Sequence, residues 1–125
     1  KTLPNFIAFK SLDKKNVTRI RNAIPFDLIL LGMGEDGHVA SLFPDDTEAV
    51  GSQAVYRAVI GPKPPPRRIT LGYPALAAAR EVWVLASGEG KAEALRNSLA
   101  KDGDTPLARV LKSREQTKIL TDFDV

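Results

Sequence analysis

Short apolar runs alternate along the chain with stretches of helical spacing, and that alternation predicts an α/β fold built on a parallel sheet. Phe26 to Leu31 carries no polar alternation after Asp27, the pattern of a fully buried strand, and Val82 to Ala86 repeats it. Asn5 to Phe9, Ala54 to Ile60, Arg68 to Leu71 and Lys118 to Thr121 are further strand candidates. Leu12 to Ala23 reads as a helix. Asp13 can cap it, Val17, Ile20 and Ile24 share one face, and Pro25 ends it. Pro74 to Arg80 is a second helix, and Lys91 to Ala100 an amphipathic third with Ala92, Leu95 and Leu99 inward. Thr105 caps a fourth, with Pro106 at its first position. Between these elements, Val39 to Phe43 is expected to form one helical turn stopped by Pro44, and Asp45 to Gln53 a polar loop. Gly61 to Pro66 (GPKPPP) is stiff and extended, because proline fixes its own φ and biases the residue before it away from helix.

Composition narrows the class without naming an activity. The chain has 125 residues, 43% hydrophobic and 26% charged, which suits one globular domain rather than a disordered segment. No apolar run approaches the length of a membrane span, and no charged-then-apolar signal peptide opens the chain. The absence of cysteine excludes disulfides, thiolate chemistry and cysteine-based metal sites, and a cytoplasmic location is expected. The formal net charge is only +3, and among the basic residues only Lys63, Arg67 and Arg68 crowd together. With 6% aromatic residues and no basic run interleaved with them, no nucleic-acid surface is expected, whereas a small anionic substrate fits. Oligomeric state is not legible.

The chemistry concentrates where the first buried strand ends. Gly32, Gly34 and Gly37 break the chain into a tight loop that also holds Glu35, Asp36 and His38, the only histidine. In open α/β sheets ligands bind beyond the carboxyl ends of strands, and glycines let backbone amides approach them closely. Either Glu35 or Asp36 is near enough in sequence to orient the imidazole, and amides around Gly34 and Gly37 could face an oxyanion. The spacing lacks the third glycine and the helix of a dinucleotide loop, so no nicotinamide cofactor is expected. One histidine without cysteine gives no zinc set, and neither metal nor cofactor is expected.

The run FDLILLGMGEDGHVASLFP, Phe26 to Pro44, resembles the signature of 6-phosphogluconolactonases, within the wider superfamily that includes glucosamine-6-phosphate deaminases. Deaminases typically carry Asn at the place of Asp36 and continue into Asn-Glu-Pro, where this chain has Leu42-Phe43-Pro44. Val39 stands where many lactonases have threonine. Pro62 to Leu99 resembles the family's proline-rich loop, Arg-Ile-Thr strand and Gly-x-x-Lys-Ala helix start, although Arg67 replaces a usual acidic residue. Thr105 to Leu111 resembles its closing region.

The resemblance implies a Rossmann-like parallel sheet flanked by helices, and hydrolysis of 6-phosphoglucono-δ-lactone to 6-phosphogluconate in the pentose phosphate pathway. It implies His38 as general base and then acid, Asp36 or Glu35 holding its tautomer, and Arg68 and Lys91 gripping the phosphate. Lys91 opens a helix after Ser87-Gly88-Glu89-Gly90, where amides and the helix dipole favour an anion. The family's Gly-Gly-x-Thr/Ser-Pro phosphate loop and Asp-Glu-Arg motif do not occur here. Residues 1–125 are therefore expected to be the C-terminal portion of a larger single-domain fold, with little turnover alone. An isomerase or deaminase of the same superfamily, or a non-catalytic phosphosugar-binding module, remain the alternatives.

Overall fold

The structure, a computed structural model, describes residues 26–125, so the expected strand at Asn5 to Phe9 and helix at Leu12 to Ala23 lie outside the described residues. Its elements run β1 (Leu28–Gly32), α1 (Thr47–Gly51), β2 (Tyr56–Ile60), β3 (Arg67–Leu71), α2 (Tyr73–Ala78) and β4 (Glu81–Ala86). A 3-10 turn (Glu89–Lys91), α3 (Ala92–Leu99), α4 (Pro106–Lys112) and β5 (Lys118–Thr121) follow. The expected α/β class holds. Strands β1, β4 and β5 make a parallel sheet in that order, with Leu30 opposite Trp83 and Val84 opposite Ile119. β2 and β3 stand apart as an antiparallel hairpin, closed by the Gly61 amide donating to the Pro66 carbonyl at 2.7 Å.

One face of the parallel sheet forms the core. Ile29, Leu31, Val82, Val84 and Ala86 are buried there, in one cluster with Leu76 of α2, Leu95 of α3 and Leu107 and Val110 of α4. Each large aliphatic side chain so buried contributes about 1.5–3 kcal/mol of transfer free energy. The opposite face is apolar but, among the described residues, uncovered: Leu28, Leu30, Leu85 and Leu120 are 41%, 59%, 48% and 43% exposed. The expectation of fully buried strands is thus corrected. An unbroken apolar run shows that both faces are hydrophobic, not that both are covered.

Three local expectations change as well. Asp45 to Gln53 is not all loop. Asp46 caps α1 by accepting from the Ala49 amide at 3.2 Å, and the helix buries only Ala49, too little apolar periodicity to be read. Val39 to Phe43 is not helical: Val39 bridges Met33 and Leu42, and Ala40 turns the chain with φ of 51°. In α3 the inward row is Ala92, Ala94, Leu95 and Ser98, while Leu99 is half exposed. Thr105 caps α4 as expected, accepting from the Ala108 amide at 3.0 Å. Arg114, unremarked in the sequence, closes the end of α2 by donating to the carbonyls of Leu76 and Ala79 at 2.8 and 2.6 Å.

Candidate functional site

Beyond β1 the chain folds back on itself. The Gly34 amide donates to the His38 carbonyl at 2.9 Å, and the Gly37 amide donates to the Gly34 carbonyl at 3.0 Å. Gly37 has φ of 81°, a region that side chains rarely adopt. The imidazole of His38 lies directly over Gly34: a Cβ there would stand 2.2 Å from its Cε1 and 2.3 Å from its Nδ1. No other residue fits beneath the ring without displacing it. Here a backbone glycine is needed to make room for a side chain.

Asp36 Oδ1 contacts His38 Nδ1 at 2.5 Å and also accepts from the His38 amide at 3.0 Å. Because the ionised carboxylate can only accept, this network assigns the proton to Nδ1 and leaves Nε2 as the acceptor nitrogen. Partial burial opposes ionisation of Asp36, but the amide and imidazole of His38 together hold its carboxyl below the usual carboxylate range. Glu35 turns elsewhere. Its Oε1 lies against Gly90, where a Cβ would come within 2.6 Å of it. The choice the sequence left open therefore falls on Asp36 as the imidazole's partner, with Glu35 packed on the neighbouring loop.

Of the amides around Gly34 and Gly37 expected to face an oxyanion, the two glycines' own are committed elsewhere. Those of Gly34 and Gly37 are consumed by carbonyls inside the loop, so neither faces outward as an oxyanion donor. What these two glycines supply is space and a backward turn.

The imidazole also touches the ring of Phe43, 4.8 Å between centroids and tilted by 46°. The guanidinium of Arg68 lies over the same ring, 5.5 Å from its centroid. Arg68 is thereby brought to within one aromatic ring of His38. Two of its donors are already engaged: Nε with the Pro65 carbonyl and one terminal nitrogen with that of Lys63, both at 2.9 Å. Of its five donors, three remain for another acceptor. Lys63 and Arg67 are exposed on the same loop and strand. Phe43 further borders an open cavity of about 430 Å³ lined by Asp45, Asp46, Glu48 and Arg57, whose acidic rim is ill suited to an anion.

Lys91 occupies the loop beyond β4, the strand paired with β1. Gly88 turns the chain with φ of 97°, and its carbonyl accepts from the Lys91 amide at 3.0 Å. Asp122, just past β5, holds this loop from outside by accepting from the Ser87 hydroxyl at 2.6 Å and the Gly88 amide at 3.0 Å. The Ser87 hydroxyl, then the Gly88 amide, with a smaller contribution from the Lys91 charge, keep the Asp122 carboxyl low. Phe43 and Ser87 stand in the sequence only as members of the Phe26–Pro44 and Ser87–Gly90 runs, and Asp122 carries no signal there, since the contact each makes is tertiary. Among the described residues, no three His, Cys, Asp or Glu side chains are arranged to hold a metal ion, and no helix is long and apolar enough to cross a membrane.

This arrangement has relatives. Residues 8–119 match the family described as glucosamine-6-phosphate isomerases/6-phosphogluconolactonase. The 6-phosphogluconolactonase of Streptomyces coelicolor is 54% identical over 87 residues, 66% of this chain and 32% of that protein. That of Mycobacterium tuberculosis is 46% identical over 102 residues, 79% of this chain and 41% of that protein. The crystal structure of 6-phosphogluconolactonase from Leishmania guyanensis superposes with a TM-score of 0.71 at 28% identity, covering 86% of this chain and 48% of that one. The chain thus spans from 32% to 48% of the length of these relatives. By sequence match and by fold, it belongs to the glucosamine-6-phosphate isomerase/6-phosphogluconolactonase family.

Proposed function

We propose that the protein bearing this chain hydrolyses 6-phosphoglucono-δ-lactone to 6-phosphogluconate, with His38 as the group that moves the proton. The observation that carries the reading is the Asp36–His38 contact over Gly34, which presents an oriented imidazole whose Nε2 has no hydrogen-bond partner among the described residues. Nε2 takes a proton from water as its oxygen bonds to the lactone carbonyl carbon, giving a tetrahedral intermediate. Collapse of that intermediate breaks the bond to the ring oxygen, which recovers the proton from the imidazolium and leaves as a hydroxyl. Asp36 holds the tautomer for the first transfer and balances the imidazolium charge between the two, as a carboxylate does in other His-based acyl transfers.

The substrate's phosphate is assigned to Lys91 and to the outward donors of Arg68, the second a planar fork suited to phosphate oxygens. Glu35 is assigned a supporting place between the two loops. The relatives' names support a lactone as substrate, and Asp36 with Leu42-Phe43-Pro44 favours that over a deaminase. The test is lactone hydrolysis by the full-length protein and its His38→Ala variant. We expect a loss of at least ~10²-fold in kcat, the low end for removal of a general base. A variant that turns over at the wild-type rate removes His38 from the mechanism.

A further inference from the structure

The His38 loop is braced from behind by a pair of buried hydroxyls, Ser98 and Thr105, that no step of the reaction uses. Thr105 stands against Gly37 so closely that a Cβ on the glycine would meet its Cβ at 2.6 Å and its Cγ2 at 2.7 Å. The Gly37 carbonyl also accepts from the Leu107 amide at 3.1 Å, so the loop meets the start of α4 at two points. The Thr105 rotamer is itself fixed. Ser98 donates to the Ala94 carbonyl at 2.7 Å, which uses its only proton. The 2.6 Å contact between the two hydroxyls must then be donated by Thr105, whose oxygen in turn accepts from the Ala108 amide. Ser98 and Thr105 are 2% and 8% exposed, so water offers neither a replacement partner.

We propose that Ser98 and Thr105 are a positioning pair for His38, acting through Gly37. The chain of contacts is short: Thr105 fixes Gly37, the Gly37 amide bonds to the Gly34 carbonyl, and the imidazole rests on Gly34. Ser98 lies on α3, the helix that begins immediately after Lys91. The pair therefore ties the element leading from the phosphate-side lysine to the element that backs the histidine. Its kinetic consequence rests on the hydrolytic reading above, but its structural consequence does not.

The experiment uses the full-length protein with Thr105→Ser, which keeps both hydroxyl bonds and removes only the methyl facing Gly37, and with Ser98→Ala. Below the melting temperature of each variant, kcat is expected to fall about 10-fold with KM unchanged, as a displaced catalytic group requires. The double variant should lose little more than either single one, because both act through one contact. In amide NMR spectra, the peaks of Gly34, Gly37 and His38 should move while those of Arg57 to Ile60 stay. Folded variants with wild-type kcat and unmoved loop peaks would overturn the proposal. If Ser98→Ala fails to fold, Thr105→Ser decides alone. If the wild type hydrolyses no lactone, the functional reading fails, and the loop peaks still decide whether the pair positions His38.

Discussion

Two loops leave neighbouring parallel strands side by side, with Gly32 at the end of β1 opposite Leu85 of β4, and their side-chain anchors differ in range. The hydrogen bonds that shape the His38 loop are mostly its own, amide to carbonyl and histidine to aspartate, and α4 only backs it at Gly37. The Lys91 loop is secured from outside, by a carboxylate that arrives after β5. The difference follows the chemistry assigned to each. A proton moves along one line between two atoms, and misplacement by about 1 Å can cost a hundredfold, so the donor needs a short rigid frame. A lysine attracts phosphate as a flexible point charge and tolerates a looser hold.

If that contrast is right, damage to the first loop should appear in kcat and damage to the second in KM. Gly34→Ala should have the largest effect. The methyl displaces the imidazole and opens its contact with Asp36, lowering kcat about 10²-fold, and steady-state kinetics with a melting curve checks it. A tolerated alanine would mean that the glycine is not the imidazole's seat. Asp36→Asn should cost less, about 10-fold in kcat, because an amide oxygen still accepts from Nδ1 but lacks the charge that balances the imidazolium. Asp122→Ala is the gentlest test: KM for the lactone should rise about 3-fold with kcat intact. Were kcat to fall there as far as in Asp36→Asn, the two loops would not be separable.

How much of this could be read from residues alone varies with the range of the interactions. The strand ending in a glycine loop with acids and one histidine was legible because all its parts lie within a few positions. Which acid contacts the imidazole was not, because that depends on Glu35 packing against Gly90, remote in sequence. Thr105 was legible as a helix cap, but its backing of Gly37 depends on how α4 packs. Helix α1 escaped notice because one buried alanine leaves no periodicity. The inward register of α3 was misjudged at its last turn, where a buried serine replaces the expected leucine because its hydroxyl has partners on Ala94 and Thr105.

Asp122 also gives the fold an order of completion. The carboxylate that shapes Ser87 and Gly88 lies beyond β5, the last strand, which pairs along β4 through Trp83 to Ala86. Long-range closures of this kind form late, after local turns and helices have reduced the entropy of bringing their ends together. The hydrogen bonds inside the His38 turn join residues close at hand and only its backing at Gly37 waits for α4, whereas the Lys91 turn waits for the strand that ends the sheet. Capacity to hold a phosphate would then mature after the histidine's own turn has set, making anion binding a late reporter of finished folding.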